Sequence, residues 1–480
     1  MVNRHWLIWP MLAVALIVAG SSLCHDGAPG VAEAGAARPR SGANRVPPRP
    51  FICMYGHSDD AGVTAAFWKL IPRFSVIEGT SSDAKFIVAL RGKGCIYAAH
   101  VTNPVNGTAA ELVSLWRKPF ENTLTGQLPG GYDAIAIDEL RANPDGSVQS
   151  ARVCQALEDL RKLYPGKQIY AAATWQLGRE ASKYSRQLRA VYRHVDMLML
   201  EVYLRETRRA YGYFAAWADQ LKAVEPGLLK KTVYGLGIAQ RGYLYDDSTD
   251  VGFFGHLDQQ FRSIRTDADA SKMPGIMFWV YYRSETGVTP GHLARLVDHY
   301  FLERKTDYLG DGKAGQLVGN PLFTTLAGWK CQAGEGGSVE QFDYAAITGL
   351  QNDHDDHGWS AHGKHGLKMV RGSSPNTASF EVGRLDPRMI YTVSAWVHSD
   401  KPGRHAGLRV KGPDGRLIAE EETGRAGRGT QWNEWTRLVF DFQPSQSTIH
   451  IELHDTKTRQ GAVLFWDFVE LETVYPAARR

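Results

Sequence analysis

Tyr132-Asp133-Ala134-Ile135-Ala136-Ile137-Asp138-Glu139 is the stretch on which the fold is read. Alanine and isoleucine alternate and then give way to two adjacent acids. A period of two is that of a β-strand, whose successive side chains point to opposite faces. Large aliphatics belong against a helix layer, so the isoleucines face outward. Ala134, Ala136 and Asp138 then face the other side, with Asp138 at the strand's end.

Similar short apolar runs lie at 51–57, 74–79, 95–101, 168–175, 197–204, 232–239 and 275–282. Helical periodicity fills the gaps between them, at 64–70, 83–90, 109–120, 148–164, 181–194, 208–224 and 257–265, and a last helix at 291–301 follows the eighth strand. This alternation predicts parallel βαβ units. Eight of them over about 250 residues predict an α/β fold of the (β/α)8 TIM barrel type. A doubly wound sheet is the alternative, but no glycine fingerprint follows the first strand.

After about residue 318 helical periodicity stops. Short alternating strands at 378–382, 391–397, 407–410, 436–442, 448–453 and 463–471 predict an all-β antiparallel sandwich. The amino terminus has a basic start (Arg4, His5), an apolar run from Leu7 to Gly20 and small-residue sites around Ala34. That is a secretory signal pattern, its apolar run short for a membrane span, with an uncleaved anchor as the alternative. The expected organisation is a signal peptide (1–36), a Pro/Arg-rich linker (37–50), the barrel (51–305), a second linker (306–319) and the sandwich (320–480).

In a barrel, chemistry gathers at the carboxyl ends of the strands. Phasing each strand as above turns Asp138 into the mouth, and Glu139 follows it where the chain leaves the sheet. Glu201 and Tyr203 face in on the sixth strand, Met277, Trp279 and Tyr281 on the eighth, Glu78 on the second, and Tyr55 and His57 on the first. Trp175 ends the fifth. Carboxylates ringed by Tyr and Trp suit cleavage of a glycosidic bond, which needs one carboxyl group as proton donor and another to stabilise or attack the anomeric carbon. Asp138, Glu139 and Glu201 are the catalytic candidates. Tyr55, His57, Glu78, Trp175, Tyr203, Trp279 and Tyr281 are the substrate-binding candidates. Any of these acids could instead cap a helix or pair with an Arg.

The 480 residues carry 55 Lys and Arg against 51 Asp and Glu. So even a balance argues against a nucleic-acid partner. Of five Cys, Cys24 lies in the signal; Cys53 and Cys95 sit in predicted strands and Cys154 in a predicted helix, which reads as buried thiols, and no spacing among these and Cys331 is that of a zinc site. The run His354-Asp355-Asp356-His357, with His362 and His365 nearby, is read as a solvated loop and not a metal site.

The segment 132–139 resembles the fourth strand of family 18 chitinase-like barrels, and Gly275-Ile276-Met277-Phe278-Trp279 resembles their eighth. The family pattern ends its fourth strand in a proton-donating Glu, whereas the matching positions here are Ala136, Asp138 and Leu140. Adjacent Asp-Glu is similar to family 20 hexosaminidases, and acids on strands four and six are similar to α-galactosidase-like barrels. Residues 320–480 resemble jelly-roll carbohydrate-binding modules, through Asn320-Pro321-Leu322-Phe323, Tyr391 to Val397 and Phe465-Trp466-Asp467-Phe468-Val469. The resemblance implies Trp396 as a sugar-stacking candidate on an exposed face, and Asp467 as part of a structural calcium site. The joint expectation is a secreted, periplasmic or cell-surface bacterial glycoside hydrolase. It would act on a polysaccharide or oligosaccharide as a monomer, without a catalytic cofactor and without a membrane span after signal removal. The alternative is a non-catalytic carbohydrate-binding protein on the same scaffold.

Overall fold

The computed structural model describes residues 50–55, 73–104, 106–203, 211–238, 252–279, 288–313, 315–343, 365–400, 404–423 and 436–477. The signal, the first linker up to residue 49, the helix expected at 64–70, His57, Tyr281 and the 354–357 histidine run lie outside them.

Eight parallel strands close into a barrel in chain order: β1 (Phe51–Tyr55), β2 (Val76–Gly79), β3 (Ile96–Val101), β4 (Ala134–Leu140), β5 (Gln168–Ala173), β6 (Met197–Glu201), β7 (Thr232–Gly237) and β8 (Gly275–Trp279). The seam between β1 and β8 depends on glycine. Gly275 pairs with Phe51, and a Cβ there would stand 1.8 Å from the Phe51 carbonyl oxygen.

Around the strands lie helices α1 (Ala84–Gly92), α2 (Ala109–Glu121), α3 (Val148–Leu163), α4 (Ser185–His194), α5 (Gly212–Val224), α6 (Phe253–Thr266) and α7 (Pro290–Val297). Side-chain caps start several of them. Asp83 accepts from the Lys85 and Phe86 N–H groups, Thr108 and Glu111 form a reciprocal capping box, and Ser147 caps α3. The outward-facing Ile135 and Ile137 pack in one buried layer with Trp116, Leu157 and Leu188 from the helices. Each such side chain contributes about 1.5–3 kcal/mol on burial. The lumen holds a separate cluster that includes Phe51, Cys53, Val76, Ala98, Ala134, Ala136, Tyr170, Met199 and Met277. Of these, Ala134, Ala136 and Met277 are residues the strand phasing turned inward.

The carboxyl-terminal region is a sandwich of two five-stranded antiparallel sheets. The first runs in the order β10 (Ser338–Asp343), β11 (His365–Val370), β18 (Val463–Pro476), β13 (Met389–Ser399), β16 (Thr436–Phe442). The second runs β15 (Leu417–Glu422), β14 (Gly407–Lys411), β17 (Ile449–His454), β12 (Thr377–Val382), β9 (Trp329–Gln332). Tyr391, Val393, Ala395 and Val397 from β13 meet Leu408, Val410, Ile451 and Leu453 between the sheets. Among the described residues no helix is long and apolar enough to cross a membrane. The four described cysteines are free. Cys53 and Cys95 are buried as expected, but Cys154 is half-buried and Cys331 exposed, the latter because it lies on the edge strand β9.

Barrel and sandwich meet through polar contacts. The Glu472 carboxylate on β18 accepts from the N–H groups of Phe254 and Gly255, at 3.2 Å each, and so caps α6 from the sandwich. Gly252 makes room, since a Cβ there would lie 2.1 Å from Glu472 Oε2. Nearby, His292 on α7 reaches Asp441 on β16 at 2.8 Å, with the Thr392 hydroxyl 3.0 Å from the same ring nitrogen.

Burial, with the Glu470 charge, pushes the Glu472 carboxyl up to about 8, although the two N–H bonds and Arg437 pull the other way. A folded-state value above the unfolded one of 4.5 means that folding binds a proton more tightly. This group's contribution is therefore full below pH 4.5 and declines as pH rises to about 8. Glu472→Gln keeps an acceptor oxygen and removes the titration. Thermal melting from pH 5 to about 9 is expected to show the variant gaining on the parent as pH rises; a constant difference would contradict this.

Candidate active site

Inward parity brings one side chain from each of six strands to the carboxyl end of the lumen: Tyr55, Glu78, His100, Asp138, Glu201 and Trp279. The other two strands contribute little bulk, because β5 presents Ala172 and β7 ends in Gly237 beside Trp279. Space is thus left among the acids.

Glu78 is fully buried. Its Oε1 lies 3.3 Å from His100 Nδ1, and its Oε2 has no hydrogen-bond partner. His100 Nε2 faces Asp138 Oδ2 at 3.7 Å, which sets Glu78, His100 and Asp138 in a row across β2, β3 and β4. The Tyr55 ring packs against His100 with centroids 5.5 Å apart. Tyr203, just past β6, stacks on Trp279 at 4.3 Å and 17°. Its hydroxyl is buried beside the Glu201 carboxyl without a well-formed hydrogen bond.

β4 carries a bulge. Its register with β5 slips between Ile137 and Leu140, and Glu139 takes a φ of 46°, in the left-handed region that non-glycine residues seldom adopt. Two consequences follow. Leu140 is thrown into the outer core beside Ala173, so it does not face the mouth in line with Asp138. Glu139 stands at the rim, its side chain 60% exposed and 3.7 Å from Arg141.

The electrostatics follow from crowding acids away from water. Burial, with the Asp138 and Glu139 charges, pushes Glu201 up to about 8, against the Tyr203 hydroxyl. Burial pushes Glu78 up to about 7, opposed by its bond to His100. Burial also raises Asp138, held in check by His100. For His100, burial pulls down, but the Glu78 bond and the charges of Glu78, Asp138 and Glu139 outweigh it and leave it raised. At neutral pH this arrangement holds a proton on Glu201, while the His100 charge opposes the rise at Asp138. Such separation of acids by environment is how proton donor and carboxylate roles are divided.

Of the residues singled out from the sequence, Tyr55, Glu78, Asp138, Glu201, Tyr203 and Trp279 come together, with Glu139 at their edge. Trp175 lies beyond the end of β5, largely exposed, with the Arg179 guanidinium 4.1 Å from its ring. His57 and Tyr281 are outside the described residues. His100 was missed, although the same parity that found Glu78 places it at the mouth end of β3. In the sandwich, Trp396 was expected on an exposed face and is only 3% exposed. It points away from the intersheet core, but the Arg437 guanidinium covers it at 5.4 Å. Asp467 is fully buried, with Oδ1 accepting the Phe468 N–H at 2.7 Å. The trio of metal-capable side chains among the described residues is elsewhere, at Glu420, Glu422 and His454, where Lys457 already sits 2.5 Å from Glu422.

No family model matches the chain, and no curated protein matches it. Solved structures do. A glucosidase from Croceicoccus marinus is 12% identical over 86% of this chain and 96% of that one, with a TM-score of 0.37. TmCBM61 in complex with β-1,4-galactotriose is 18% identical over 33% of this chain and 98% of that one, with a TM-score of 0.26. The CBM22-1 xylan-binding domain of Paenibacillus barcinonensis Xyn10C is 17% identical over 32% of this chain and 90% of that one, with a TM-score of 0.23. At these TM-scores the likenesses assign no role to any residue here.

The Glu78–His100 pair yields a direct expectation. Glu78→Gln removes the charge that holds His100 up and leaves the burial that pulls it down. The His100 ring, followed by NMR and identified by its absence in His100→Asn, is expected to titrate at lower pH in the variant. An unchanged midpoint would show that the pair does not set the site's charge.

Proposed function

We propose that the chain is a glycoside hydrolase whose proton donor is Glu201 and whose ionised carboxylate is Asp138. The observation that supports this most is the carboxyl group on β6 held protonated near neutrality, in one mouth with an acid on β4 that His100 keeps ionisable. Glycosidic cleavage requires that pairing. The Glu201 proton goes to the glycosidic oxygen as the bond to the anomeric carbon breaks. The Asp138 carboxylate stabilises or attacks the positive anomeric carbon, and water completes the hydrolysis.

The stacked Tyr203–Trp279 pair offers a flat wall for the apolar face of a sugar ring. Glu139, exposed at the rim, takes a binding or proton-shuttling part. The substrate is a polysaccharide or oligosaccharide met outside the cell, and the sandwich acts as its accessory domain. Trp396 is covered and is not proposed as a stacking residue.

Three measurements test this. Glu201→Gln is expected to lower hydrolysis of alkyl glycosides by about 100-fold or more, the size of a general-acid contribution. Nitrophenyl glycosides should lose far less, since their leaving group needs little protonation. Activity should fall above pH 8 as Glu201 loses its proton, and that limb should vanish in the variant. Undiminished turnover of alkyl glycosides by Glu201→Gln would remove Glu201 from the role. Glycan binding without any product would identify a binding protein instead.

A further inference from the structure

A second feature opens beside Glu139. The loops after β3 and β4 and the first two turns of α3 line a cleft of about 310 Å³ that is open to solvent. Its polar lining is Asn103, Arg141, Asn143, Gln149 and Arg152. Asn103 joins the cleft to the mouth, since its Nδ2 donates to the Glu139 carbonyl at 3.3 Å. Its Oδ1 is buried with no donor. Arg141 is 3.7 Å from the Glu139 carboxylate, and Arg152, which has no ion pair within 4 Å among the described residues, is near enough to Glu111 for its charge to help lower that carboxyl.

From this geometry we infer that the cleft is a subsite for an anionic sugar residue, which makes the substrate of the proposed hydrolase an acidic glycan. The inference rests on the glycan reading above and goes further by naming the class. The charges of Asp138 and Glu139 at the mouth repel an acidic chain unless cations stand where the acidic group is seated. Two guanidiniums flank this cleft, and a guanidinium matches a carboxylate or a sulfate with paired N–H donors. Asn103 Oδ1 requires a donor, and a hydroxyl on the neighbouring ring carbon supplies one. A chain bound across the acids and past Glu139 delivers its next residue to this place.

The test uses Glu201→Gln as the binding form and the unmodified full chain for turnover. The probes are uronic-acid-containing oligosaccharides, their carboxyl-reduced counterparts, and sulfated oligosaccharides of the same backbone. Preference for the uronate or the sulfated probe over its neutral counterpart is expected, and which one it is identifies the anion. Arg152→Gln should weaken the preferred probe by roughly tenfold or more, the scale of one charge-assisted contact. Binding and turnover of neutral oligosaccharides should be unchanged, which also shows that the variant is folded. Arg152→Lys should retain part of the preference, and added salt should erode it. Tight binding and turnover of neutral glycans with no acidic preference would overturn the subsite and leave the hydrolase standing. Loss of neutral and acidic binding alike in Arg152→Gln would also overturn it, by making Arg152 structural. Failure to bind any of the glycans would overturn both readings.

Discussion

The contact on which the mouth depends is the one between Glu78 and His100. Glu78 is fully buried, one oxygen 3.3 Å from the imidazole and the other unsatisfied. Taking one partner from a buried charged pair typically costs about 3–5 kcal/mol, because the other charge is left uncompensated. The pair is therefore fixed in place by its own burial. His100, so held, presents its second nitrogen to Asp138, and the Asp138 charge in turn helps keep the proton on Glu201. Glu78, His100, Asp138 and Glu201 are thus linked in order across β2, β3, β4 and β6, with burial the first influence on the protonation of each and the neighbouring charges the next.

Much of this was legible because a barrel strand obeys a strict period of two. Ala134 and Ile135 already separate lumen from helix layer, and the same parity finds Glu78, Glu201 and Trp279 without reference to any long-range contact. His100 obeys the rule equally well, on a strand that reads Ile96, Ala98, His100 inward. It was passed over because a single His among alanines carries no motif, and its meaning appears only when Glu78 and Asp138 arrive on either side. Parity fails at one place. The bulge after Ile137 inserts an extra residue, so Leu140 turns outward and Glu139 is left at the rim. A bulge depends on the pairing with β5, which the strand's own residues do not encode. Position 140 therefore does not look into the mouth.

The sandwich was less legible. Its core strands, such as β13 and β18, alternate clearly, but β10 (Ser-Val-Glu-Gln-Phe-Asp) is polar on four of six positions and β15 (Leu-Ile-Ala-Glu-Glu-Glu) runs apolar then acidic without alternating. Both are edge strands, which bury only part of one face and so carry a weak pattern. Trp396 shows the converse limit. Its parity away from the intersheet core is readable, but whether that outer face meets water depends on Arg437, a neighbour on β16.

The outer face of β13 also explains why the barrel and sandwich associate through polar contacts. Thr392, Asp441 and Glu472 lie at its barrel end, facing His292 and the start of α6. An apolar contact of that area would be indifferent to small rotations of one body on the other. Two N–H groups converging on one carboxylate are not, because each bond weakens steeply with angle. The interface trades some stability for orientation, since Glu472 is desolvated in making it. The capped helix, α6, is the one that leads into β8, the strand that carries Trp279. A constraint placed on α6 from the sandwich therefore falls one connection away from the aromatic wall of the mouth.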